Sequence, residues 1–183
     1  MLARRTLIQA SAAGVIVAGL AGFSTFARWY KEWLDEYGPG WKPMAWPFGR
    51  DAFPGGRAWR NGDVEVYVRP KLGFCGNCDT GVVTDQEVDR VTDIDLFDER
   101  FEPMGDGRRV RITDLFGRAR LYKVKGRDGK PTLAEGIAVS LNCDLVVAMV
   151  VGKIDDDAVR KEAHRFIESN AVQVWLNKLL EGR

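Results

Sequence analysis

Three cysteines are the residues of this sequence best suited to chemistry. Cys75 and Cys78 are three positions apart, and Cys143 lies further along the chain. Two thiols at this spacing can close a tight disulfide, act as a redox pair or hold a soft metal ion. A structural disulfide would join Cys75 to Cys78, or either of them to Cys143, and would leave one thiol unpaired.

The first two cysteines lie in the run FCGNC at positions 74–78, an aromatic residue followed by C-G-x-C. This run resembles the active-site motif of the thioredoxin family. A preceding strand, the run KPTL at positions 130–133, two later strands and a closing helix are similar to the order of elements in that family. The resemblance implies a thiol–disulfide oxidoreductase in which Cys75 is the attacking thiolate, Cys78 the resolving thiol and Pro131 the residue beside them.

A metal site would need the third cysteine and the single histidine. Cys75, Cys78, Cys143 and His164 would supply three thiolates and one imidazole, a ligand set that tetrahedral zinc accepts. His164 lies in a predicted helix at the edge of its apolar face, where a histidine is also expected simply as a residue at the solvent edge. The residue after the cysteine pair is Asp79, so the sequence lacks the C-x-x-C-H motif of covalent haem attachment. We therefore expect no cofactor, with zinc as the alternative.

No other pattern predicts a catalytic site. The chain has no catalytic-serine motif and no glycine-rich loop for phosphate. It has a single histidine, the side chain that most often acts as a general base, so few residues could take that role. Acidic residues crowd positions 85–102, and arginines crowd positions 108–120. We expect these two stretches to form surface ion pairs worth about 0–1 kcal/mol each.

The N-terminal 27 residues predict an export signal or a membrane anchor. Positions 6–27 contain no charged residue, and a helix of that length rises about 33 Å, which spans a hydrocarbon core of about 30 Å. Arg4 and Arg5 precede this segment and indicate a cytoplasmic N-terminus. The run RRTLI resembles the twin-arginine export signal of bacteria. An aromatic-rich segment follows, which favours an uncleaved inner-membrane anchor; cleavage would instead release the remainder into the periplasm.

The overall charge argues against nucleic acid as a partner. Of 27 basic and 26 acidic residues, only Arg4 and Arg5 lie before position 28, so the remainder is nearly neutral. Nucleic-acid binding normally needs a basic surface. Hydrophobic residues make up 45% of the chain, which is ordinary for a globular protein.

Hydrophobic patterns predict strands followed by a helical tail. The run DLVVAMVV at 144–151 is continuously apolar, which indicates a buried central strand. The tail at 155–181 predicts a helix that bends or splits at Ser169-Asn170. Residues 79–85 are expected to form a turn leading into a short strand. Further strands are predicted at 64–69, at 109–115 and 119–125 around a turn at 116–117, and at 133–141.

Three segments follow from these patterns: a signal or anchor at 1–27, an aromatic, Pro/Gly-rich juxtamembrane connector at 28–62, and a periplasmic α+β domain at 63–183. We expect a mostly antiparallel sheet with a C-terminal helix packed on one face, preceded by one N-terminal transmembrane or signal helix. Trp41, Trp46 and Trp59 of the connector are expected to pack on the domain or the membrane.

The functional prediction is a non-catalytic, partner-binding or accessory subunit of an envelope complex. It rests on the anchor, the aromatic connector and the lack of a catalytic motif. Two alternatives stay open at this point: a thioredoxin-like oxidoreductase, and a module that binds a small molecule or a metal.

Overall fold

The described part of the chain is built on one antiparallel sheet. The computed structural model describes residues 40–49, 53–73, 82, 84–141 and 144–181, which belong to one compact unit. The strands are β1 (Lys42–Met44), β2 (Arg57–Asn61), β3 (Val64–Lys71), β4 (Glu102–Ile112), β5 (Leu115–Lys125), β6 (Pro131–Leu141) and β7 (Asp144–Gly152). Their order is β1-β2-β3-β7-β6-β5-β4, and each neighbouring pair is antiparallel. The predicted α+β class with a mostly antiparallel sheet is therefore confirmed.

The strand β7 lies at the centre of this sheet, between β3 and β6. Every residue from Leu145 to Val151 is buried. A strand covered on both faces needs apolar side chains on both faces, which explains the unbroken apolar run. The prediction of a buried central strand is confirmed.

Helices cover both faces of the sheet. They are α1 (Asp85–Val91), α2 (Ile94–Phe97), α3 (Asp157–Ile167) and α4 (Asn170–Glu181). We call the face under α3 and α4 face A; its core includes Trp59, Phe166 and Leu176. We call the opposite face, under α1 and α2, face B. The predicted break at Ser169-Asn170 is confirmed, because α3 ends before it and α4 begins at it.

Helix α1 was not predicted, although its start has a sequence signal. The Glu87 amide donates to the Thr84 hydroxyl at 3.3 Å, and the Thr84 amide donates to the Glu87 carboxylate at 2.9 Å. This reciprocal pair is a capping box, which satisfies amides that the first helical turn leaves open. A helix therefore begins at Asp85, where residues 79–85 were expected to form a turn leading into a short strand.

The predicted connector contributes two strands to the sheet. The strands β1 and β2 lie between residues 42 and 61, so the sheet begins before position 63. Proline is tolerated in β1 because this strand is short and lies at the sheet edge. Trp41 and Trp59 are 5% and 1% exposed, and their rings lie 4.4 Å and 5.3 Å from the Phe166 ring. The expected packing of these two tryptophans on the domain is confirmed.

The turn between β4 and β5 lies three residues before its predicted position. Ile112 pairs with Leu115, so Thr113 and Asp114 form the turn, and Thr113 takes a left-handed backbone with φ of 53°. Gly117 lies inside β5, and this position requires glycine because a β-carbon there would collide with the carbonyl oxygen of Ala138. Glycine here serves close strand packing and not chain reversal.

The N-terminal region, on which the membrane prediction depends, lies outside the described residues. The predicted transmembrane or signal helix and the pair Arg4 and Arg5 belong to this region. None of the helices in the described part combines the length and hydrophobicity that crossing a bilayer requires.

Candidate functional site

The residues singled out from the sequence fall into two groups. Cys75, Cys78 and Cys143 lie outside the described residues. Pro131 is the exposed first residue of β6, where it pairs with Lys125, and His164 lies within α3. In the described ranges, no three side chains of Cys, His, Asp or Glu are grouped to hold a metal ion.

His164 is part of a buried ionic cluster on face A. Its Nε2 lies 2.8 Å from Oε2 of Glu135, and Nη2 of Arg108 donates to the other oxygen, Oε1, at 2.7 Å. The Glu135 side chain is 1% exposed, whereas those of His164 and Arg108 are 16% and 53% exposed. The histidine thus keeps a partly exposed position at the edge of the apolar face and contacts a buried carboxylate, a partner that the sequence pattern did not predict.

The ionisation of Glu135 depends on its two partners. Burial alone would raise the pKa of this carboxyl, because the charged form loses hydration. The hydrogen bonds with His164 and Arg108, and the electrostatic attraction between these residues and the carboxylate, outweigh burial, so the pKa of Glu135 is lowered. Glu135 thus joins the edge strand β4 to helix α3 across the sheet as a carboxylate.

A second buried ionic cluster ties face B together. Asp93 accepts from Nε and Nη2 of Arg69 at 2.5 Å and 2.7 Å, and its Oδ1 lies 2.6 Å from Nζ of Lys71. The three side chains are 3–7% exposed. Asp93 has a left-handed backbone, with φ of 60°, directly before α2. The expectation that the acidic stretch forms surface ion pairs is therefore wrong at Asp93, whose ion pairs are buried.

A third set of ionic contacts fixes α1 on β5. Asp85 pairs with Arg118, and Asp89 accepts from Nη1 of Arg120 at 2.7 Å. Asp85 also accepts from the Gly107 amide at 3.0 Å, within a bulge of β4. The Arg118 hydrogen bond and this amide lower the pKa of Asp85. The predicted pairing of acidic and arginine stretches is confirmed for these residues.

An exposed aromatic residue lies on the β4–β5 hairpin, on the same face as α1. Phe116 is 55% exposed. The guanidinium carbons of Arg109 and Arg111 lie 5.0 Å and 5.9 Å from its ring centroid, within the range of cation–π contacts. Arg111 also donates to Asp114 at 2.8 Å, but the Asp114 side chain is 94% exposed. We call Arg109, Arg111 and Phe116 the hairpin surface.

The hairpin surface adjoins the outer edge of the sheet. Strand β4 is 11 residues long and terminates the strand order, so its outward backbone groups face no strand in the described part of the chain. The bulge between Met104 and Arg108 interrupts this edge, but the stretch from Arg108 to Ile112 is regular. Backbone groups of an open edge can pair with an added strand.

The side chains that pair within these ionic clusters were not predicted from the sequence. A weak signal existed for each: Glu135 is a lone charge in an apolar strand, and Arg69 and Lys71 share the inward face of β3 with Tyr67. Nothing in the pattern indicated that Phe116 stays exposed.

Comparison with known proteins adds no family to this description. No protein-family model matches the chain, and no curated protein matches it significantly.

Proposed function

We propose that the chain is a non-catalytic accessory subunit that binds a protein partner through the hairpin surface and the adjacent edge of β4. Residues 6–27 would anchor it in a bacterial inner membrane with the domain in the periplasm, after export directed by Arg4 and Arg5. If the signal were cleaved, the domain would act in the periplasm as a soluble subunit.

The exposed ring of Phe116 carries this proposal. Burying a phenylalanine side chain contributes about 1.5–3 kcal/mol. Aromatic and arginine residues are enriched where binding energy concentrates in interfaces. The hairpin surface contains both residue types, because Arg109 and Arg111 flank the exposed ring of Phe116.

The charge of the surface defines the chemistry of the partner. Arginine binds carboxylates through parallel hydrogen bonds, and the Asp114 carboxylate near Arg111 is almost fully exposed and contributes little. We therefore expect a partner segment that presents acidic side chains beside an apolar one.

Site-specific photocrosslinking tests this interface. A photoreactive residue at position 116 of the full-length protein in native membranes is expected to give one protein adduct of defined mass. The matched control is position 174, because Val174 is 51% exposed but lies on α4. Phe116→Ser with Arg109→Glu is expected to lower capture of that partner at least tenfold without changing the melting temperature. Equal adducts at both positions, or capture unaffected by the double substitution, would contradict the proposal.

We also propose that Cys143 forms a structural disulfide with Cys75 or Cys78. The support comes from the described neighbours of these cysteines. Lys71 pairs with Leu145, and the Gly73 amide donates to the Asp144 carboxylate at 2.7 Å. Cys143 precedes Asp144, and both other cysteines follow Gly73 within five residues. Chain connectivity therefore permits a disulfide between Cys143 and either of the other two, a bond that needs Cα atoms about 4.4–6.8 Å apart.

Peptide mapping of unreduced protein is expected to show one bond that contains Cys143. Cys143→Ser should lower the melting temperature as much as reduction does. A bond between Cys75 and Cys78, with a Cys75 that alkylates rapidly near neutral pH after reduction, would instead favour the thioredoxin-like alternative.

A further inference from the structure

A polar cleft of about 830 Å³ opens at the end of the sheet opposite the Thr113-Asp114 turn. The turn between β2 and β3, the turn between β5 and β6 and the end of β7 form its walls, and Phe97 of α2 contributes an aromatic ring. Its volume falls within the range of about 300–1,000 Å³ that is typical of small-molecule sites. Several loops meet here on a rigid sheet, which is the usual setting of a binding site.

The carboxylates that line the cleft already have cationic partners. The pairs are Asp63 with Lys153, Glu65 with Arg60, and Asp128 with Lys130. Hydrogen bonding and the positive charge of Lys153 lower the pKa of Asp63. Because each negative charge is balanced, these carboxylates oppose the entry of an anion only weakly.

Arg127 is the fourth cation of the lining. Arg60, Lys130 and Lys153 each pair with a carboxylate, but Arg127 has no carboxylate partner in the described part of the chain. Its side chain interacts with the buried hydroxyl of Tyr67, which Glu65 also engages. The lining therefore has one excess positive charge, on the exposed residue Arg127, and it also contains the aromatic ring of Phe97.

We propose that this cleft binds a small organic monoanion, a carboxylate with an attached ring or aliphatic group. The Arg127 guanidinium binds the carboxylate through paired hydrogen bonds, which is the preferred geometry between these groups. Phe97 and Pro131 pack against the apolar part of the ligand. The site is separate from the hairpin surface, and the two proposals do not depend on each other.

Titration with benzoate, monitored by NMR, tests the site in the full-length protein. Benzoate is expected to shift the signals of Arg127 and Phe97 with a millimolar dissociation constant. Benzylamine has the same ring with the opposite charge, and it should give no saturable shift. Arg127→Gln should weaken benzoate binding at least tenfold. The matched control Arg165→Gln removes an exposed guanidinium on α3, outside the cleft and outside the hairpin surface, and should leave benzoate binding unchanged.

Three outcomes would overturn the assignment. They are an absence of saturable shifts with benzoate, equal binding of benzylamine, and benzoate binding that survives Arg127→Gln. Partner capture at position 116 should persist in Arg127→Gln, so the fate of each proposal can be read separately.

Discussion

Replacing Asp93 with asparagine is expected to cost about 3–5 kcal/mol of unfolding free energy, the typical penalty for breaking a buried ion pair. The Asp93 carboxylate contacts Arg69 at 2.5 Å and Lys71 at 2.6 Å, and all three side chains are almost fully buried. Buried cations that lose a shared carboxylate lose Coulomb attraction without regaining hydration. Asparagine keeps the size and tolerates the left-handed backbone of this position, so the loss measures the charge.

Urea denaturation of the Asp93 variants measures this effect. Asp93→Ala should cost more than Asp93→Asn, because alanine also fits the left-handed backbone poorly. Asp95→Ala is the matched control, since Asp95 is an exposed acid on the adjacent helix and should change stability by no more than about 0.5 kcal/mol. An Asp93→Asn variant as stable as this control would show that the buried cations do not need this carboxylate.

Replacing Glu135 with glutamine is expected to cost about 2–3 kcal/mol at neutral pH. Hydrogen bonds that involve a charged group contribute about 1.5–3 kcal/mol each, and glutamine removes the charge from two of them. The contact with Arg108 contributes the smaller share, because that side chain is half exposed. Arg108→Gln should therefore cost less than about 1 kcal/mol.

The cost of Glu135→Gln should depend on pH in a defined direction. Its partners lower the pKa of Glu135 below the ordinary value of 4.5 despite burial. The stabilisation is therefore fully present above about pH 4.5 and is lost as the pH falls through the lower, folded-state value. Unfolding free energies of the wild type and the variant should converge at acidic pH. A difference that stays constant down to pH 2 would show that packing, and not charge, holds this site together.

The parts of the fold that the sequence predicted correctly depend on local patterns. The apolar run of β7 and the two apolar faces around Ser169-Asn170 are visible without knowing what packs against them. The start of α1 is equally local but was missed, although the Thr84–Glu87 capping box is present in the sequence.

The remainder depends on contacts between residues distant in the chain. Gly117 was assigned to a turn because glycine is common in turns. The carbonyl of Ala138 is the actual reason for glycine here, since it leaves no room for a side chain, and this contact becomes known only from the sheet register. The Pro/Gly-rich segment joins the sheet because Trp41 and Trp59 reach Phe166, more than 100 residues away. The contacts of Asp93 with Arg69 and of His164 with Glu135 also join residues distant in the chain, so they become visible only once the strands are paired.

The central position of β7 constrains when the protein can fold during synthesis. Its partner β3 ends at Lys71, whereas β7 ends at Gly152. On the ribosome, the strands β1 to β3 must wait until residue 152 has emerged, and closing so long a loop is slow. The newly made chain thus exposes apolar strands until β7 arrives, and the sheet cannot be completed before then.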